Sequence, residues 1–261
     1  YCYTGGYHLP PTTLTGSVRS DIVFIEPIIG VGELAISDHR SSQPTLNELL
    51  KIASEAHVAR LMTGKAGILH LHLGDGERGL SLVREALQQA EIPPRTYNPT
   101  HINRLRPLFE EACDLSKQGC WIDITAFETG DEGFEPRDAV LRFFDQDLPR
   151  DKLTMSSDGG GCLPFFDKHG HLTKMDFASS ESMTQVFYDL LDHGQELQDI
   201  LPVFTSNVAS LMNFHHKGRL ITESDADLIV LDHKNRIEHV MAQGCWHVFN
   251  KEIIKKGSFE K

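Results

Sequence analysis

Apolar strand-like segments alternate with amphipathic helical segments along most of the chain. After an extended opening segment, apolar and β-branched runs occupy residues 28–37, 67–74, 95–101, 120–127 and 152–158. Helical patterns lie between them at residues 46–62, 78–90, 105–118 and 136–148, and two more follow near 181–193 and 199–212. Strands that alternate with helices at intervals of about 25–40 residues predict parallel strand–helix–strand units, and therefore an α/β fold.

The helix predicted at residues 46–62 has the clearest boundaries. Thr45 as N-cap and Glu48 three residues later form a capping box, and Gly64 marks the C-terminal end. The spacing of its apolar residues predicts a face that packs on the core, made of Leu46, Leu49, Leu50, Ala53, Ala56 and Leu61.

Six such units fit a TIM-like (β/α)8 barrel that lacks its first strands. A closed barrel of this type needs eight strands, and the chain starts with the extended segment YCYTGGYH rather than with Met. We therefore interpret the chain as an N-terminally truncated fragment. An open doubly wound sheet is the alternative, but no glycine fingerprint for a dinucleotide follows the first strand.

The pattern changes near residue 218, where short strands separated by turns replace the helices. We expect residues 1–214 to form a (β/α) barrel domain that is incomplete at its N-terminus. Residues 215–261 are then expected to form the C-terminal part of a small β-sandwich domain.

Composition narrows the class of protein. The chain is 40% hydrophobic and 24% charged, as in ordinary globular proteins, and its formal charge of −12 argues against a nucleic-acid partner. No run approaches the ~18 apolar residues of a membrane span. Five scattered cysteines without a CxxC pair favour a reducing compartment, so we expect a cytoplasmic protein. The 14 histidines favour metal chemistry.

Four potential metal ligands lie within or at the end of predicted strands: Glu33 in the middle of the apolar run 28–37, and His72, His101 and Asp158 near the ends of theirs. In barrel enzymes the active site lies at the C-terminal ends of the strands. Imidazole and carboxylate groups are suitable zinc ligands, so their presence at one rim favours a metal hydrolase. A single strand-end histidine is often only hydrogen-bonded to backbone, and an Arg or backbone N–H groups could equally satisfy Glu33. His70 forms an HxH pair with His72, but one ligand from this strand suffices.

Neighbouring residues suggest how a substrate is held. Arg40 and Arg104 follow two of these strands, and guanidinium groups prefer carboxylates, which indicates a substrate with more than one carboxylate. Tyr7 follows a glycine pair and could donate a hydrogen bond to a developing oxyanion. The alternatives are a solvated arginine surface and an ordinary loop aromatic. Asp75 and Asp123 are candidates to support the site from outside the ligand set.

Several segments carry a family resemblance: YTGGYHLPPTTLTGSVRSDI, AISDHRS, HLHLGDG, PTHINR and SSDGGGCLPFFD. They resemble the isoaspartyl dipeptidase family, which belongs to the amidohydrolase superfamily and to peptidase family M38. The resemblance extends from residue 1 to the end of the chain and includes GRLITESDADLIVLD. It implies a barrel enzyme with two zinc ions per active site that hydrolyses dipeptides carrying an N-terminal isoaspartyl (β-aspartyl) residue.

The resemblance also implies residue roles. His72 and His101 match the ligands of one zinc ion, and Asp158 matches a ligand of the other that also transfers protons. Tyr7 matches the tyrosine that stabilises the tetrahedral intermediate. The implied mechanism is attack by a metal-bridged hydroxide on the isopeptide carbonyl, with Asp158 passing the proton to the leaving amine.

Substrate contacts are implied in the same way. Arg40 and Arg104 match arginines that bind the substrate carboxylates. The family often has a serine that helps to hold the substrate, where this chain has Cys162. A thiol is a weaker donor than a hydroxyl.

Two further departures concern the metal ligands. The bridging ligand of the family is commonly a carboxylated lysine, whereas the matching position here is Glu33, in a segment that is one residue longer. A glutamate can bridge two cations without carbon dioxide, and we predict that it does so here. The HxH pair of the superfamily's first strand has no counterpart in this sequence.

Two other functions stay open. One is a different amidohydrolase that opens a cyclic amide, of the dihydroorotase or hydantoinase type. The other is an inactive relative that serves as a scaffold. For the dipeptidase we expect a small dipeptide substrate and a homo-oligomer, with no nucleic-acid or membrane partner.

Overall fold

The computed structural model describes residues 1–167, 169 and 171–257. Its strands are β1 Cys2–Thr4, β2 Ile28–Ser37, β3 Leu69–Leu73, β4 Tyr97–Thr100, β5 Ile122–Thr125, β6 Leu153–Ser156, β7 Cys162–Phe166, β8 Leu172–Phe177, β9 Leu228–Leu231, β10 Ile237–Ala242, β11 Cys245–Phe249 and β12 Glu252–Ile253. Its α-helices are α1 Val18–Phe24, α2 Leu46–Thr63, α3 Ser81–Gln89, α4 Arg106–Lys117, α5 Pro136–Phe144, α6 Glu181–Asp192, α7 Leu197–Phe204 and α8 Ser206–Leu211.

The first six strands run parallel in chain order. Strands β1 to β4 form one sheet, and β5 pairs with β6. Two backbone hydrogen bonds join β4 to β5: Trp121 N donates to Tyr97 O at 3.2 Å, and Ile102 N donates to Asp123 O at 3.4 Å. The prediction of six parallel strand–helix units is confirmed, and all six strands end at the same rim.

Strands and helices share one hydrophobic core. Leu69 and Leu71 of β3 lie in it, together with Leu49 of α2 and Phe109 of α4. The predicted capping box of Thr45 and Glu48 is present, and Gly64 ends α2 in the left-handed conformation. The prediction for Leu61 is wrong, because its side chain is 68% exposed. The buried face of α2 is made instead of Leu49, Ile52, Ala53, Ala56 and Ala59.

Strand β2 contains a bulge just before its carboxylate. Val31 pairs with Leu69 and Leu34 with Leu71, so β2 has one more residue than β3 between the two pairs. A Cβ atom at Gly32 would lie 2.7 Å from the carbonyl oxygen of His70, so only glycine fits there. Because a bulge changes the direction of the side chains beside it, this irregularity lets Glu33 face the rim.

A short helix and a hairpin were not predicted from the sequence. Helix α1 supplies Asp21, which accepts hydrogen bonds from the side chains of Thr4 and Thr15 and from Leu14 N. It thereby ties the loop before α1 to strand β1. The hairpin β7–β8 is antiparallel and follows β6, at the rim where the six parallel strands end.

The C-terminal part differs from the prediction in one detail. The helical segment predicted at residues 199–212 is two helices, α7 and α8, because the backbone leaves the helical region at Thr205. The four-stranded antiparallel sheet β12–β11–β10–β9 matches the predicted small β-domain. The division at residues 214 and 215 stays a prediction, and residues 258–261 of that domain lie outside the described part.

Candidate metal centre

Three side chains from neighbouring strands meet at the rim. The Oε1 atom of Glu33 lies 3.2 Å from Nδ1 of His72 and 3.0 Å from Nε2 of His101. The potential ligand atoms of all three residues lie within 4.8 Å of one another. Glu33 belongs to β2, His72 belongs to β3, and His101 directly follows β4. Three neighbouring parallel strands therefore bring together residues that are far apart in the sequence.

The protonation states of this cluster suit a cation. Burial lowers the pKa of His101 to about 4, against the opposing effect of Glu33, so its imidazole is neutral at pH 7. Burial acts to raise the pKa of Glu33, but its close contacts with His101 and His72 outweigh burial and leave the pKa well below its usual range. An ionised carboxylate beside a neutral imidazole is a typical donor set for a divalent metal.

A second carboxylate, Asp38, fixes the orientation of His72. Its side chain is fully buried, and its Oδ2 atom lies 3.1 Å from His72 Nε2. Burial opposes ionisation, but hydrogen bonds from Arg40 and Tyr7 hold the pKa of Asp38 well below its usual range. An ionised Asp38 only accepts hydrogen bonds, so His72 carries its proton on Nε2 and directs the lone pair of Nδ1 toward Glu33.

Asp38 was not singled out from the sequence. It lies in the AISDHRS segment, where polar residues follow the strand without a periodic pattern. Only the family resemblance of that segment could have drawn attention to it.

Tyr7 lies beside the cluster but is engaged with Asp38. Its hydroxyl donates to Asp38 Oδ2 at 2.8 Å, and its ring centroid is 4.8 Å from that of His72. Burial and this hydrogen bond raise the pKa of Tyr7, so the hydroxyl stays a proton donor at neutral pH. Donation to a substrate oxygen requires the hydroxyl to change partners.

The two arginines face one cavity of about 820 Å³, which they line together. Arg40 forms a two-point contact with Asp38, from Nε to Oδ1 at 3.0 Å and from Nη2 to Oδ2 at 2.7 Å. Arg104 lies over the ring of Phe127, and its buried Nε has no hydrogen-bond partner among the described residues. Of the two, Arg104 therefore has a buried donor to offer to an anion.

Comparison with solved structures identifies the family. The β-aspartyl dipeptidase of the thermophilic, keratin-degrading Fervidobacterium islandicum AW-1, in complex with the dipeptide β-Asp-Leu, superposes with a TM-score of 0.92 at 39% identity. A second structure of that enzyme superposes with a TM-score of 0.87 at 37% identity. The chain belongs to the β-aspartyl dipeptidase family. Each superposition covers 99% of this chain and 66% of the relative, so the chain spans just under two thirds of its relatives' length.

More distant structures agree on the barrel fold of the β-aspartyl dipeptidase family. A D-hydantoinase from Bacillus sp. AR9 has a TM-score of 0.59 at 14% identity, over 95% of this chain and 71% of its own. An N-acetylglucosamine-6-phosphate deacetylase from Pasteurella multocida has a TM-score of 0.55 at 13% identity, over 85% of this chain and 57% of its own. The predicted (β/α)8 fold of the metal-dependent hydrolase type is thus confirmed. No model of a known protein family matches the sequence.

Asp158 lies near the cluster but outside it. It follows β6 with a left-handed φ of 52°, and a Cβ at Gly161 would lie 2.8 Å from its backbone carbonyl oxygen, so glycine is needed beside it. Burial raises the pKa of Asp158, and the negative charge of Glu33 raises it further. A carboxyl group with a raised pKa is suited to proton transfer. The metal-ligand role expected for Asp158 from the dipeptidase family stays a prediction.

The other candidates lie farther from the cluster. Cys162 is exposed at the start of β7, and its neighbour Leu163 lines the cavity while Cys162 does not. The substrate contact expected for Cys162 stays a prediction. His70 Nδ1 bonds Asn98 Oδ1 at 2.7 Å, so it is occupied away from Glu33. Asp75 is exposed and lies 3.1 Å from the ring of His39.

No helix in the described part of the chain is long and apolar enough to cross a membrane.

Proposed function

We propose that the protein is a zinc-dependent β-aspartyl dipeptidase. The observation that supports this most is the convergence of Glu33, His72 and His101 at the barrel rim, in a chain that belongs to the β-aspartyl dipeptidase family. One relative was crystallised with β-Asp-Leu, which indicates the class of substrate. The donor set of one ionised carboxylate and two imidazoles fits zinc.

The ligands are assigned from the contacts. Glu33 would bind through its carboxylate, His72 through Nδ1 and His101 through Nε2, the atoms that face one another. Two zinc ions are proposed, with Glu33 shared between them and Asp158 as a ligand of the second. When bound, zinc supplies an acidified water as the nucleophile and polarises the carbonyl group of the scissile bond.

The protein groups perform the remaining tasks. Asp158 takes a proton from the attacking water and passes it to the nitrogen of the leaving amino acid. Tyr7 donates its hydroxyl hydrogen bond to the carbonyl oxygen as negative charge develops there. Arg104, with its unpaired buried Nε, and Arg40 bind the substrate carboxylates.

A substrate panel tests the reaction. The intact, zinc-loaded protein is expected to hydrolyse β-Asp-Leu and to leave α-Asp-Leu intact, since the bond attacked is the side-chain amide. Faster turnover of a hydantoin or of dihydroorotate than of β-Asp-Leu would instead assign the protein to the cyclic-amide hydrolases.

A matched pair of variants tests Asp158. Replacing it with asparagine is expected to lower kcat about 100-fold or more, since general acid–base groups contribute about 10² to 10⁴. Asp114→Asn removes an exposed carboxylate of helix α4 and is expected to leave kcat nearly unchanged. Near-normal turnover by Asp158→Asn would remove its assigned role.

A further inference from the structure

Beneath the candidate metal centre, four buried side chains form an unbroken chain of hydrogen bonds. Nδ1 of His101 lies 2.8 Å from Oγ1 of Thr125, which lies 3.2 Å from Oγ1 of Thr100. Thr100 then donates to Oδ2 of Asp123 at 2.7 Å. None of the four residues is more than 4% exposed. Solvent therefore does not compete for these groups.

The alternation of side chains along β5 explains why these hydrogen-bonded groups lie inside the barrel. In the strand IDIT, Asp123 and Thr125 point to one face, while Ile122 and Ile124 belong to the hydrophobic core. Thr125 is also held through its backbone, since Asn103 accepts from Thr125 N at 2.9 Å and donates to Thr125 O at 3.1 Å. The hydroxyl therefore has a fixed position beneath His101.

The hydrogen bonds from His101 to Asp123 all point the same way, because the last group, the Asp123 carboxylate, is an acceptor. Both carboxylate oxygens of Asp123 receive hydroxyl protons, Oδ1 from Thr154 at 2.7 Å and Oδ2 from Thr100 and Ser156. Burial raises the pKa of Asp123, and these hydroxyl donors offset part of that rise.

A hydroxyl has only one proton to donate. Thr100 uses its proton for Asp123, so it accepts from Thr125. Thr125 then uses its own proton for Thr100, so it accepts from Nδ1–H of His101. The Nε2 atom of His101, which faces Glu33, is left with its lone pair.

We propose that Asp123, acting through Thr100 and Thr125, is a positioning residue that holds the His101 proton on Nδ1 and so keeps Nε2 available as a metal ligand. The inference rests on the proposed function, because it assumes that His101 binds zinc. Asp38 plays the corresponding part for His72 by direct contact. The two histidines would thus be oriented by two different carboxylates, one adjacent and one three hydrogen bonds away.

Thr125 and Thr154 provide a matched test. Both are buried threonines whose hydroxyls belong to the Asp123 network, but only Thr125 lies between Asp123 and His101. Thr125→Val removes the connecting hydroxyl with little change of volume. Thr154→Val removes a hydroxyl from the same carboxylate and leaves the chain to His101 intact. Thr125→Ser keeps the hydroxyl and reports on any effect of the lost methyl group.

Two readouts are measured on the intact protein, and neither depends on activity. Zinc affinity is determined by competition with a chelator, and the His101 Nδ1–H proton is observed by NMR in the zinc-loaded state. Thr125→Val is expected to bind zinc about 10- to 100-fold more weakly, as is typical for loss of a group that supports a ligand. Its Nδ1–H resonance should move upfield and exchange faster. Thr125→Ser and Thr154→Val should resemble the wild type in zinc affinity and in the Nδ1–H resonance.

The outcomes separate the inference from the proposed function. Unchanged affinity and an unchanged Nδ1–H resonance in Thr125→Val would overturn the inference while leaving the metal site in place. Equal losses in Thr125→Val and Thr154→Val would also overturn it, because the hydroxyl chain would then have no special part. A wild-type protein that binds no zinc would overturn the proposed function itself, and the inference with it.

Discussion

Glu33 and Asp38 lie on opposite sides of one imidazole and differ in how their charges are balanced. His72 faces Glu33 with Nδ1 and Asp38 with Nε2. Arg40 forms a bidentate ion pair with Asp38, whereas Glu33 contacts two imidazoles. Since a half-buried carboxylate is stabilised by a positively charged partner, and among the described residues no Lys or Arg contact of Glu33 matches that of Asp38 with Arg40, the charge of Glu33 favours a cation between it and the histidines.

Glu33 predicts how the metal centre assembles. A glutamate carboxylate is encoded in the chain, so it needs no carbon dioxide to become a ligand. Zinc content and β-Asp-Leu hydrolysis are therefore expected to be equal after reconstitution with and without bicarbonate, in buffers freed of carbon dioxide. Strict dependence of either quantity on bicarbonate would refute Glu33 as the shared ligand.

At the scale of single residues, the sequence identified the groups at strand ends and missed the groups that support them. Glu33, His72 and His101 could be predicted because a polar residue within or at the end of an apolar strand is conspicuous. Asp38 could not, because its burial depends on Tyr7, which lies 31 residues earlier, and on how Arg40 folds back. A polar loop sequence does not reveal such contacts.

Among the structural elements, those with a long regular pattern were predicted and those with a short pattern were not. The six parallel strands and helix α2 followed from periodicity and capping. Helix α1 has seven residues, too few for a clear helical period. The apolar spacing of α2 wrongly predicts that Leu61 is buried. The buried face runs through Ala56 and Ala59, and Leu61 lies on the solvent side.

Asp21 of α1 gives a prediction with a defined pH dependence. Burial acts to raise its pKa, but hydrogen bonds from Thr15, Thr4 and Leu14 N outweigh burial and lower it. A lowered folded-state pKa adds stability above the unfolded value of about 3.9, and this stability is lost as pH falls below that value. Asp21→Asn is therefore expected to lower the free energy of unfolding by about 1–3 kcal/mol at pH 7.

Urea unfolding at two pH values tests this expectation. The difference between wild type and Asp21→Asn should shrink between pH 7 and pH 3, since the wild-type carboxyl loses its advantage as it becomes protonated. Asp114→Asn, at an exposed ion pair with Lys117, should change stability little at either pH. A difference for Asp21→Asn that is as large at pH 3 as at pH 7 would show that ionisation of Asp21 does not contribute.

In the whole molecule, the proposed site joins three successive strand–helix units. Its ligands come from positions 33, 72 and 101, so a metal ion binds the folded arrangement and not the unfolded chain. Ligands that bind only the folded state stabilise it, by about 2.7 kcal/mol at a concentration 100 times Kd.

Zinc is therefore expected to raise the melting temperature of the intact protein in a concentration-dependent way. Addition of a chelator should return the melting temperature to the value of the metal-free protein. A melting temperature that does not respond to zinc at any concentration would argue against a site built across three strands.

The zinc affinity of Glu33→Gln, compared with that of wild type by equilibrium dialysis, tests most directly whether Glu33 belongs to the metal centre. The substitution keeps the size of the side chain and removes its charge, and Glu77→Gln at an exposed glutamate is the matched control. If Glu33, His72 and His101 form the metal centre, Glu33→Gln binds zinc at least about 10-fold more weakly than wild type, and Glu77→Gln binds like wild type. Equal zinc affinity in wild type and Glu33→Gln would contradict the account.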